Sequence, residues 1–585
     1  MTSNTLKYKI VLFGLLLFVV LALFLQWTNA YHFLFIEQNQ LFLFSQSYIR
    51  ERIMIPGGLA LLTGEFLVQF FILPYAGACI TAFLLTGIGL LTALVCKKTA
   101  PAIPLYLLYF LPVLSLLFMH FNFNYFVQGT VAFIFLLLFI YLYASVSAFK
   151  YRLLLAAVNV PLLFWWAGSI ACLYAFCVFL WEASHRMRGW YWMAFVVLEA
   201  LAIAFGSLYF AVLGDFRFAF LPDLYFHKGL VPPTEIYYSW ISLPLVLVAA
   251  YLLRNRQPSK KKTEIMEGLI QLVIIIGLWW GGVSAYNDSK SIKLKQLDYY
   301  TRTRQWDKII ENCKGRLSNY LYLCHLNIAL AEKGILADKA FAFDQRGIQG
   351  LFVSWNKTVS ISTLLSELHF AAGNIAVAQE KAFESYISSP GYGNPRMLQR
   401  LVETNLIYGE YPVAEKYLDL LDKTFYYSDW AKEHRRFLYN DAEVNSDLLL
   451  GEKRKGLLKK NFLSNPVEVE RDLLSTAEQY PENRNAVEYV GVGYLLMKNM
   501  EGFENLLKTY YHTDVLPSLP VSFQEAVIIL YEGKPEVWAH YAISESIFRR
   551  FADFKRLIQT NRGNPPVTEI NRLFGDTYWY YFMLK

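Results

Sequence analysis

Few side chains able to do chemistry stand in the apolar part of this sequence, and they fall in three places. Glu37, Arg50 and Arg52 lie in a polar-interrupted stretch, residues 28–74. Asp215 and Arg217, followed by Asp223, His227 and Lys228, lie in a second, residues 214–236. Glu199 stands alone near the middle of the apolar run Trp190–Leu213. A well-placed carboxylate can take a proton from a reacting hydroxyl, which contributes about 10²–10⁴-fold to rate. Guanidinium groups hold phosphate or carboxylate oxygens through paired N–H bonds. An acid at mid-bilayer depth costs about 2.5–3.5 kcal/mol. Glu199 is therefore expected to face other helices or a wet cavity, either bonding to another span or serving substrate passage. The chain has no phosphate-binding loop, dinucleotide fingerprint, HExxH or GxSxG. Its nine histidines are dispersed and its six cysteines lack metal-ligand spacing, so no metal site is expected and no cofactor is named.

The elements that must hold these groups follow from composition. Of 585 residues 55% are hydrophobic and only 17% charged, against about 25% charged in soluble proteins. A membrane portion is implied. The net charge of +7 is a topology signal, because much of it sits in short loops between apolar runs, and it does not indicate nucleic-acid binding. The dividing stretch is the cationic run Arg254, Arg256, Lys260, Lys261 and Lys262, followed by the uncharged segment Gly268–Tyr286. That segment is long enough for a hydrocarbon core of about 30 Å, and no segment after Asp288 is. Basic residues stay in the cytoplasm, so everything after residue 288 is expected outside it, beyond the inner (plasma) membrane.

Nine spans are predicted in a polytopic transmembrane domain, 1–286. Ile10–Gln26, after Lys7 and Lys9, reads as an uncleaved signal anchor with the N-terminus inside. Residues 31–74 read as two short amphipathic helices on the outer leaflet, broken at Pro56-Gly57-Gly58. The next spans are Tyr75–Val95, Pro104–Met119 and Tyr125–Ala148. Leu153–Glu182 lies between the basic clusters Lys150/Arg152 and His185/Arg186/Arg188, so it must cross an even number of times. A hairpin of two short helices, broken at Pro161 or Gly168, meets that demand; one long span is the rival. Trp190–Leu213, Tyr237–Leu253 and Gly268–Tyr286 complete the set.

After a neck, 287–297, the composition turns charged and helical. Residues 371–378 (AAGNIAVA) match residues 407–414 (IYGEYPVA). Each glycine ends a helix and each following alanine, Ala378 or Ala414, sits where two helices cross closely. This resembles the tetratricopeptide pattern, with Leu365 and Leu401 at the first-helix packing position. Looser matches are NIALAEKG at 327–334 and Val490-Gly491-Val492-Gly493-Tyr494, with Phe503 at the small-residue site. The resemblance implies an extracytoplasmic α-solenoid over 298–585 with a surface for a protein or peptide partner. Cys313 and Cys324 either pair as a disulfide or pack as free thiols.

The predicted fold class is thus all-α: a polytopic helical membrane bundle followed by a TPR-like α-solenoid. A first span, a long outer loop with an acid, a multi-span bundle and an outer domain resemble the GT-C class of lipid-dependent glycosyltransferases. That resemblance implies Glu37 as base or metal ligand and Arg50, Arg52 and Arg217 on the phosphate of a polyprenyl-linked sugar, with Asp215 and Glu199 nearby candidates for substrate binding. Glu37 stands where the class usually has Asp, and no Asp-x-Asp pair is present. The layout also resembles multi-span bacterial envelope proteins with a repeat tail, a family that supplies no activity. The alternative expectation is a non-catalytic, membrane-anchored scaffold.

Overall fold

A computed structural model describes residues 3–100, 105–185, 189–256, 261–391, 393–457, 469–480, 482–560 and 567–585. Pro104, Arg186, Arg188 and Lys260 lie outside the described residues, as do the side chains of Lys7, Lys9 and Lys261. The chain is all-α, and among the described residues strand pairing is limited to isolated bridges. It divides into two compact units, with the boundary near Lys293.

The first unit is a bundle of α1 (Ser3–Glu37), α2 (Gln46–Ile53), α3 (Gly58–Val68), α4 (Ala76–Thr99), α5 (Tyr106–Met119) and α6 (Val127–Ser145). It continues with α7 (Phe149–Ala167), α8 (Ile170–His185), α9 (Met193–Tyr209), α10 (Phe216–Phe220), α11 (Tyr238–Leu252) and α12 (Lys261–Tyr286). Each of the nine expected apolar passes is a helix. Among the described residues six helical segments are long and apolar enough to cross a membrane: Leu12–Glu37, Ala76–Thr99, Val127–Ser145, Trp190–Tyr209, Thr234–Leu252 and Lys262–Tyr286. Of the other three, α5 has 14 residues and α8 has 16. At about 1.5 Å per residue neither reaches 30 Å. The 19-residue α7 carries Lys150 and Arg152 in its first turn.

The awkward stretch after Lys150 is a hairpin. Gly168, at φ +81°, turns the chain between α7 and α8, a conformation that costs glycine nothing. Pro161, the other expected break, is accommodated inside α7. The pairing proves the fold-back: Arg152 Nε meets Glu182 Oε1 at 2.7 Å, and Asn159 Nδ2 donates to the Tyr174 hydroxyl at 2.9 Å. Partners that approach one another in sequence toward Gly168 define an antiparallel pair.

Contacts also sort the bundle's two ends. At one, Lys98 lies over the Tyr141 ring at 5.1 Å, His185 meets Tyr251 at 5.0 Å, and Arg254 covers Tyr251 at 3.5 Å. With the Arg152–Glu182 pair, these contacts gather the described basic clusters at a single end. At the other end the long loops meet. Phe126 N–H donates to Tyr225 O at 2.9 Å and His227 N–H to Asn124 O at 3.0 Å. Gly57 N–H donates to Trp165 O at 3.0 Å, and Ser169 Oγ to Leu221 O at 2.8 Å. The helix α12 runs from the first end, where Gln271 accepts from Leu107 N–H at 3.0 Å, to the second, where Tyr286 packs on Phe118.

One boundary differs from the expected one. The first long loop does not open at residue 28, because α1 continues to Glu37 through a kink at Asn29 (φ −129°). The Thr28 hydroxyl turns back to Phe24 O at 2.8 Å, the side-chain competition that bends helices. Asn29 and Asn287 then exchange amide hydrogen bonds of 3.2 and 3.3 Å.

The second unit begins in α13 (Ser289–Arg302) and continues through α14 (Trp306–Asn312), α15 (Tyr320–Glu332), α16 (Leu336–Lys339), α17 (Val359–Ala372) and α18 (Ile375–Ser388). Next come α19 (Pro395–Tyr408), α20 (Tyr411–Asp422), α21 (Ser428–His434) and further short helices to Leu584. The sequence match at 371–378 and 407–414 becomes two helix pairs, α17–α18 and α19–α20. Their turns are Gly373 at φ +88° and Gly409 at φ +79°, left-handed closures for which glycine is the usual residue. Ala378 and Ala414 are fully buried. Cys313 and Cys324 are free, buried thiols, each directed at a backbone carbonyl, of Tyr322 and Gln349.

Buried Glu525 accepts from Tyr578 N–H at 2.7 Å, yet burial pushes its carboxyl up to about 8. The folded chain holds this proton while the unfolded chain releases it, so stability falls as pH rises from about 4.5 to about 8. Glu525→Gln keeps the acceptor and removes the titration. Its melting temperature is expected to exceed that of the parent by several degrees at pH 8 and to match it at pH 5; equal melting at both pH values would refute this.

Candidate functional site

The loop end of the first unit is where the sequence placed its chemistry. There the chain between Glu37 and Ala76 folds into α2 and α3, broken at Pro56-Gly57-Gly58 as the sequence suggests. Ser45 caps α2 by accepting from Tyr48 N–H at 3.3 Å. Gly58 is required by contact, since a Cβ there would lie 2.1 Å from the Arg52 carbonyl oxygen. This tight turn lays α3 against α2 and brings three side chains together. Arg52 Nε meets Glu65 Oε2 at 3.2 Å, with both side chains nearly fully buried. The Tyr48 hydroxyl donates to the same oxygen at 2.5 Å, with Leu41 O 3.0 Å away. The Arg52 guanidinium also lies 5.1 Å from the Tyr48 ring centre, a cation–π contact. Arg52 is therefore engaged by a carboxylate within its own helix pair.

The other candidates separate. Glu37 ends α1 and is buried at 2% exposure, not solvated as a surface carboxylate would be. Arg50 is exposed. Asp215 caps α10 by accepting from Arg217 N–H at 2.9 Å and pairs with the Arg217 guanidinium at 3.1 Å. Both side chains are exposed, so this pair adds little to stability and largely neutralises itself. The local bonds to Arg217 hold the Asp215 carboxyl below its ordinary value. Glu199 is half-buried on α9 and has no hydrogen bond or ion pair among the described residues, so of its two expected roles the bond to another span is not formed among them.

The sequence reading did not single out Tyr48 or Glu65. A signal existed: Glu65 sits in the apolar run GLALLTGEFLV, where an acid must find a partner. A second buried trio of the same residue types, Tyr143, Arg152 and Glu182, stands at the opposite end, with the Tyr143 hydroxyl donating to Glu182 Oε1 at 2.7 Å. Both trios satisfy a buried acid with one guanidinium and one phenol. Among the described residues no group of three or more His, Cys, Asp or Glu could hold a metal.

No curated protein and no solved structure matches this chain. One family model does, over residues 6–585, and by that near-complete match the chain belongs to a family of unknown function, DUF6057.

Proposed function

We infer that this protein is a membrane-anchored scaffold of the cell envelope: a nine-pass bundle fixes it in the inner membrane, and TPR-like helix pairs outside the cytoplasm dock a protein or peptide. The observation that carries this reading is the closure of the loop cations. Arg52 is held by Glu65 and Arg217 by Asp215, so two of the three guanidiniums that a lipid phosphate would need are already paired, while Arg50 is exposed. The gathering of basic clusters at one bundle end supports the N-in, C-out arrangement through the positive-inside rule. The paired glycine turns at Gly373 and Gly409 support the repeat assignment.

A second reading rests on Glu37. A buried carboxylate at the end where both long loops meet is what a GT-C-like transferase would use as base toward a polyprenyl-phosphate sugar. The two readings part on one experiment in a strain lacking the gene. For a scaffold, Glu37→Gln complements fully, while Phe383→Asp with Val413→Asp, at exposed positions of α18 and α20, does not. The reverse pattern establishes the transferase. Reporter fusions after residue 300 are expected to be active for an exported phosphatase and dark for a cytoplasmic fluorophore. Activity of the opposite pair would invert the topology.

A further inference from the structure

We propose that the second unit binds a small monoanionic sugar, one whose ring carries a carboxylate, in a cavity among α13, α17, α19 and α21. The cavity holds about 390 Å³, within the range of about 300–1,000 Å³ typical of small-molecule sites. This goes beyond the docking reading and does not depend on it.

Its floor is a rigid lattice of planar charged groups. Arg396 bonds to Asp298 at 2.8 Å and Glu367 at 3.0 Å. Arg400 bonds to Glu367 at 2.6 Å and Glu403 at 2.8 Å. Arg400 is only 7% exposed, yet its Nε has no hydrogen-bond partner among the described residues, leaving a buried donor to be satisfied from the cavity.

The ligand's charge follows from what the lattice leaves over. Arg304 lines the cavity and has no ion pair among the described residues. It sits at φ +53°, just past the end of α13, a position where Gly334, Gly373 and Gly409 serve other helices of this unit. A long charged side chain held in a conformation that favours glycine is strain of the kind that accumulates at binding sites. Behind Phe370, Lys453 donates to Ala371 O at 3.3 Å and lies 5.3 Å from the Phe370 ring, which Arg400 also covers at 3.6 Å. Burial lowers the Lys453 ammonium to about 8, with the charge of Glu332 opposing the shift and those of Arg400 and Arg304 adding to it. Counted together, the cations Arg302, Arg304, Arg396, Arg400 and Lys453 face the acids Asp298, Glu332, Glu367 and Glu403 in and around the cavity. One positive charge remains, which suits a carboxylate better than a doubly charged phosphate.

The walls specify the rest. Trp306 lines one side, and Trp430, stacked on His434 at 3.7 Å, lines another. Flat rings of this kind take the apolar face of a ligand ring. Glu332 and Gln399 accept and donate hydrogen bonds, which ring hydroxyls satisfy and a plain aromatic acid leaves unpaired. Sites built for a hydroxyl discriminate strongly against analogues that lack it.

The test is calorimetric titration of the full-length protein in lipid nanodiscs with glucuronate, glucose, benzoate and inorganic phosphate. Glucuronate is expected to bind, and the other three at least tenfold more weakly. Arg304→Gly removes the cation and relaxes the backbone, so it should weaken glucuronate at least tenfold without lowering the melting temperature; Arg304→Asn, which also tolerates this conformation, should do the same. The proposal is overturned if glucose, benzoate or phosphate binds as tightly as glucuronate. It is equally overturned if glucuronate gives no binding at about 10 mM, a concentration that would reveal even a millimolar site, or if both variants keep parental affinity.

Discussion

Replacing Glu367 with alanine is expected to destabilise the second unit by about 3–5 kcal/mol, the usual cost of removing one partner from a buried ion pair. Glu367 is the shared acceptor of Arg396 Nε and an Arg400 terminal nitrogen, at 3.0 and 2.6 Å, and all three side chains are at most 12% exposed. These two guanidiniums hold Glu367 below the ordinary carboxyl range in spite of its burial. The alanine variant removes the acid that bridges the two arginines and leaves Asp298 on one and Glu403 on the other, so like charges face each other across the vacancy. Hydrogen exchange of the full-length protein should show protection lost first on α17 and α19. A control sharpens the claim: when Asp298, Glu367, Arg396, Arg400 and Glu403 all become apolar residues of similar volume, most of the loss should be recovered, since complete removal of a buried network is often neutral. Parental stability in Glu367→Ala would mean that the network contributes nothing.

The second large effect is expected at Glu182. Its side chain is fully buried and takes Arg152 Nε at 2.7 Å, Arg152 Nη2 at 3.1 Å and the Tyr143 hydroxyl at 2.7 Å. Glu182→Ala strands a guanidinium whose remaining contacts are the Val146 and Ser147 carbonyls, at 3.1 and 3.2 Å. A loss of about 3–5 kcal/mol follows from the same reasoning, read as earlier unfolding of the first unit in denaturing detergent. The interaction belongs to the hairpin, so a double-mutant cycle with Arg152→Leu should be strongly non-additive. Additive losses would show that each residue acts alone.

What the sequence made legible were the features with local physical causes. Apolar length and basic flanks located nine helices, and the charge argument at Lys150 and His185 chose a hairpin over one long helix. Left-handed glycines marked the turns at 168, 373 and 409. The end of α1 was less legible, because YHFLFIE mixes aromatic and polar residues that also suit a loop. Partners distant in sequence were not legible at all. Arg52 reads as a cation for a lipid phosphate until α3 brings Glu65 to it, and nothing in the sequence joins Asp298, Glu367, Arg396 and Arg400 until three helices converge. Periodicity assigns a residue to a helix face, whereas pairing depends on which helices the packing makes neighbours.

The amide pair between Asn29 and Asn287 has a consequence for how the molecule is made. Before α12 is in place the Asn29 amide keeps only its local Thr28 hydroxyl partner and lacks its exchange with Asn287. The pair thus ties the first helix of the unit to its last, so this fastening closes only when the whole of the unit's sequence has been made.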